Sequence, residues 1–113
     1  MNTRSKPNDQ LPGFARHVAE RKPQLWDAYE KLGEACTAAG PLTGAAYHEV
    51  KLALAVGAGL EGAVHSHVRR ALAAGVDPEA IRHVGYLAVT TLGFPRAVAA
   101  LSWIEDVLSP KTR

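Results

Sequence analysis

The residues of this chain best equipped for chemistry lie in Glu61-Gly-Ala-Val-His65-Ser-His67, followed by Arg69 and Arg70. Imidazole titrates near neutral pH, so a histidine can serve as general acid, general base or metal ligand, and the charges beside it decide which. His65 and His67 do not form one chelating pair, because residues two apart on an ideal helix point roughly 160° away from each other. They cannot both bind one ion without a second subunit, and no metal site is expected. His67 falls on the same helical face as Ala63, Val64, Val68, Ala71 and Leu72, which makes it the inward-facing candidate. His65 stands one turn from Glu61 and one turn from Arg69. A surface ion pair between Glu61 and His65 is expected there, worth only about a few tenths of a kcal/mol. Arg69 and Arg70 offer either a hold on a ligand carboxylate or phosphate, or a solvated or intersubunit charge.

The other histidines divide by surroundings. His48 follows Tyr47 in the preceding helical segment, whereas His17 and His83 are expected to be structural. The single cysteine, Cys36, allows no intrachain disulfide and no thiolate metal cluster. It fits a reducing compartment, with cytoplasm as the default.

Helices must position these groups. From Pro23, a residue suited to a first helical turn, Leu25, Trp26, Tyr29, Leu32 and Cys36 recur at three- and four-residue steps up to Gly40-Pro41. That stripe places Trp26 and Cys36 in a core. Thr43 is expected to cap the next helix, with Tyr47, Val50, Leu54 and Ala58 on one face and Leu52 and Val56 on another. Such a helix is apolar around most of its circumference and reads as buried on several sides. Gly57-Ala-Gly59 breaks it, and the helix carrying His67 then runs to Gly75. Asp77-Pro-Glu79 starts another helix, with Ile81, Val84, Leu87, Ala88 and Thr91 in register up to Gly93. Phe94-Pro95 starts the last, whose stripe is Val98, Leu101, Ile104, Val107 and Leu108. Trp103 lies off that stripe, a candidate for an oligomer contact. Leu11 to Arg21 reads as a short lead-in helix or an irregular arm. No segment has strand periodicity, so the expected architecture is all-α, with about five helices.

The totals bound the rest. The chain has 113 residues, 47% of them hydrophobic and 21% charged, which fits one globular domain over residues 11–113 behind a mobile tail at 1–10. A net charge of +2 is too small to argue for nucleic acid. No run approaches the roughly 20 apolar residues of a membrane span, and the N-terminus has no apolar core for a signal peptide.

Three features share one register: His67-Val-Arg-Arg-Ala-Leu-Ala-Ala-Gly75, the helix start Val76-Asp-Pro-Glu-Ala-Ile81, and the turn Gly93-Phe-Pro95. With them, residues from about Tyr47 to Leu108 resemble the carboxymuconolactone decarboxylase and alkylhydroperoxidase D-like family. The resemblance implies a helical bundle that assembles into homotrimers or homohexamers, with pockets near subunit contacts. In the family's redox branch a Cys-x-x-Cys pair precedes the histidine, and a glutamate on the preceding helix completes a proton relay. Here the cysteine positions match Leu60 and Ala63, and the glutamate position matches His48. Dithiol peroxide reduction needs two neighbouring thiols, so that activity is not expected. The decarboxylase branch has a glutamate at the position of Ala63 and an arginine at that of Tyr47. Only His67 is shared with both branches, and the chain looks like a thiol-free branch.

By this resemblance, His67 and His48 approach each other across two helices in a pocket lined by Leu60, Ala63 and Val64, with Tyr47, Glu61, His65 and Arg69 around it. Two such imidazoles would act as acid and base on a small carboxylated or lactone-like metabolite, in a lyase or isomerase type of reaction without a cofactor. The alternatives are a non-catalytic oligomeric binding or scaffold protein, and an antioxidant, peroxiredoxin-like role through Cys36.

Overall fold

A computed structural model describes residues 13–110, and all regular structure among them is helical. The tail expected over residues 1–10 lies outside the described residues. The chain divides at Pro41/Leu42 into two compact units.

In the first unit, α1 (Gly13–Arg21) packs on α2 (Pro23–Thr37). The lead-in segment is thus helical from Gly13. Pro23 sits at the first turn of α2, where its missing N–H leaves no bond unmade. The apolar stripe of α2 has the expected spacing but not the expected burial. No residue of α2 is buried, Leu25, Tyr29 and Leu32 are each more than half exposed, and Cys36 is exposed as well. Trp26 is only half-buried, its ring tilted against Tyr29 at 5.2 Å between centroids. The expected core placement of Trp26 and Cys36 is therefore corrected. Periodicity shows which face of a helix is apolar; it does not say what covers that face.

The second unit holds α3 (Gly44–Ala58), α4 (Glu61–Ala73), α5 (Pro78–Leu87), the single turn α6 (Val89–Leu92) and α7 (Phe94–Leu108). α4 packs between α3 and α7, while α5 packs on α7 and α3. The core consists of Leu52, Val56, Val64, Val68, Ile81 and Ile104, with the small Ala97 and Ala100 allowing close approach to α7. Burying these side chains supplies the main driving force, about 1.5 to 3 kcal/mol for each large one.

Only one face of α3 is inward. Leu52, Ala55 and Val56 are buried, while Val50 and Leu54 of the other apolar face are exposed. Thr43 is extended and makes no side-chain capping bond, contrary to expectation. Gly59 does end α3, in the left-handed conformation (φ 70°) that a side chain would strain. Leu60 then leads into α4, which stops at Ala74 with Gly75 at φ 87°. Asp77 caps α5 as its sequence suggests, its Oδ1 accepting from the Glu79 backbone N–H at 2.9 Å. The helix expected to reach Gly93 breaks at Ala88, which leaves α6 as a separate turn. Trp103, off the stripe of α7, is half-buried and packed against the core, with part of its surface left open.

Candidate functional site

α4 carries the candidate base because its sequence makes an inward stripe of Val64, Val68 and Ala71, all buried. His67 lies at the edge of this stripe, beside Val64 and Val68 in register, and is half-buried. Burial, which strips water from the charged imidazolium, is the main cause that lowers its pKa from 6.5 to about 4. Arg70, Lys51 and His48 add electrostatic repulsion in the same direction. The ring is therefore neutral at neutral pH. It sits in a positive field built from two helices: Arg70 lies one turn along α4, while His48 and Lys51 lie one turn apart on α3, which packs against α4. Such a site can accept a proton and attract an anion.

The other expected residues lie as follows. Tyr47 and His48 are half-buried, with their rings edge to face at 5.1 Å between centroids. Ala63 is partly buried against the core, whereas Leu60 is 56% exposed. Arg69 and Glu61 are exposed. His65 is half-buried, and its partner is Asp106 on α7: its Nε2 lies 3.0 Å from Asp106 Oδ2. The expected Glu61–His65 ion pair is thus replaced by a contact between helices. A shallow, open depression of about 250 Å³ lies elsewhere, among Val56, Gly59, Pro95, Arg96, Ala99 and Trp103, and contains none of the site histidines.

Sequence reasoning missed Lys51 as a site residue, although its place one turn from His48 was a usable signal. Asp106 had no such signal, since it meets His65 only through the packing of α4 on α7. The same holds for Arg82 of α5, whose Nε donates to Glu105 Oε2 and whose Nη1 donates to Glu79 Oε2, both at 2.6 Å. This clamp ties α5 to α7, and the hydrogen bond from Arg82 holds the Glu105 carboxyl below its usual range.

Comparison with known proteins adds one finding: the sequence model described as the carboxymuconolactone decarboxylase family matches residues 23–106. No curated protein and no solved structure matches the chain significantly. The matched span takes in His48, Lys51, His67 and Arg70.

Proposed function

The chain belongs to the carboxymuconolactone decarboxylase family, and from that premise we propose that it acts on a small carboxylated or lactone-like metabolite by histidine acid/base chemistry. The observation that supports this reading is the neutral His67 imidazole among Lys51, Arg70 and His48. With a pKa near 4, His67 is a weak base in the free protein. A substrate carboxylate held by Lys51 and Arg70 offsets the charges that repel the imidazolium. His67 then becomes basic enough to take a proton from a carbon beside a carbonyl and, as imidazolium, to return it to a neighbouring carbon in an isomerisation; in a decarboxylation, the imidazolium, protonated from solvent, instead delivers its proton to the carbanion left by loss of CO2. His48, next to Tyr47, is the second acid/base candidate.

Dithiol peroxide reduction does not fit this chain, because Leu60 and Ala63 stand at the cysteine positions and Cys36 is the single thiol. Residues 11–113 are read as one family domain, since the match extends across the boundary between the two units. Self-assembly into a homotrimer or homohexamer is supported by the exposed Leu25, Tyr29 and Leu32 of α2. The same exposure favours the second reading, an oligomeric binding or scaffold protein without catalysis. No described helix is long and apolar enough to cross a membrane. A cytoplasmic location rests on the cysteine usage.

The test is a pH titration of the His67 ring by NMR, with and without succinate as a dicarboxylate probe. Succinate is expected to raise the His67 midpoint by about one unit or more in the native protein, and not in a Lys51→Met, Arg70→Met variant. A midpoint unmoved by succinate in the native protein would refute carboxylate recognition at this site and favour the scaffold reading.

A further inference from the structure

A second cluster of ionisable groups lies on α4, away from the acid/base site. Glu61 and His65 stand one turn apart on this helix, and Asp106 comes from the last turn of α7. One potential ligand atom from each of the three lies within 4.8 Å of the others. Among the described residues, no lysine or arginine pairs with either carboxylate. Among the described residues, Glu61 makes no ion pair or hydrogen bond, and Asp106 meets only His65. Two carboxylates brought this close repel each other, and a single imidazole offsets that repulsion only while it holds a proton.

We propose that Glu61, His65 and Asp106 form a binding site for a divalent cation of the zinc type. The donor set suits such an ion, since one imidazole nitrogen and two carboxylate oxygens are borderline and hard ligands that zinc accepts together. Ligand bonds of about 2.0 to 2.2 Å in a tetrahedral site require donor atoms roughly 3.3 Å apart. His65 Nε2 and Asp106 Oδ2, at 3.0 Å, are already near that spacing. Glu61 is exposed and closes the remaining gap by turning its side chain, without movement of the backbone. The ion takes the place of the hydrogen between His65 Nε2 and Asp106 Oδ2, and the ligating neutral ring carries its proton on Nδ1. A fourth position faces water. Bound there, the cation ties the first turns of α4 to the end of α7. The site is independent of His67, which points to the other side of α4.

The test uses the full chain without a histidine tag, stripped with chelator and titrated with Zn2+ by calorimetry at neutral and at mildly acidic pH. One zinc per chain is expected, bound more weakly in acid because protons compete for His65. Asp106→Asn, which keeps the side-chain shape, and His65→Gln are each expected to weaken binding about tenfold or more, while His67→Gln and His48→Gln leave it unchanged. Circular dichroism on each variant distinguishes loss of a ligand from loss of fold. The proposal is overturned if the native chain binds no zinc, if binding survives both Asp106→Asn and His65→Gln, if it depends on His48 or His67, or if the stoichiometry is below one per chain, which would mean an ion shared between copies.

Discussion

At His67, burial and neighbouring charge act in the same direction, and the result is a pH dependence that can be worked out in sign. The unfolded chain binds the imidazole proton near pH 6.5, whereas the folded chain refuses it until about pH 4. The contribution of His67 to stability is therefore whole above pH 6.5, declines as the pH falls between these values, and levels off below about 4. Because the ring is half-buried and solvent screens it, the loss is on the order of 1 to 2 kcal/mol rather than the full linkage value. Glu105, with its carboxyl lowered by Arg82, adds a separate loss in acid, so the difference between native protein and His67→Gln isolates the histidine. Urea melts across the window should show the native midpoint falling relative to that of His67→Gln. Parallel curves would mean that His67 is not held neutral. Of this site, His67 was legible from its place on an apolar stripe, because that is a local property of one helix. Arg70, one turn along the same helix, was legible in the same way, whereas Lys51 acquires its effect only when α3 and α4 pack.

Among the elements, the contact of α5 with α7 depends on Gly85. A Cβ at that position would lie 2.5 Å from Leu101 Cδ2 and 3.2 Å from Ile104 Cδ1. Alanine there would push mainly on the mobile end of Leu101 and would gain up to about 1 kcal/mol of helix propensity, so the two effects nearly cancel. Valine has no such compensation. Gly85→Val is expected to destabilise the protein by about 2 kcal/mol through overpacking, whereas Gly57→Ala, at a helical position with open space, is expected to stabilise it by about 0.5 to 1 kcal/mol. Chemical denaturation of both variants checks the pair, and a neutral Gly85→Val would show that α5 and α7 are not closely packed there. The start of α5 could be read in advance because Asp77-Pro78 is a short-range signal completed within three residues. The break at Ala88 and the outward face of α3 could not, since packing against other helices decides both.

For the whole molecule, the apolar surface left on α2 is the feature with the largest consequence. Leu25 and Leu32, each more than 60% exposed, would contribute about 1 to 2 kcal/mol apiece if covered. If α2 forms the proposed self-contact, Leu25→Glu with Leu32→Glu should reduce the mass measured by light scattering to that of one chain while helicity is kept. An assembly that persists in the double variant would place the contact on another face. The sequence by itself determined the helical class, the family and most helix ends, because these follow from periodicity, caps and glycine positions that act over a few residues. Tertiary structure alone decided which apolar stripes became core and which stayed exposed, and it alone joined His65 to Asp106 and Arg82 to Glu105. Those outcomes depend on which helix faces meet, and local sequence does not encode that meeting.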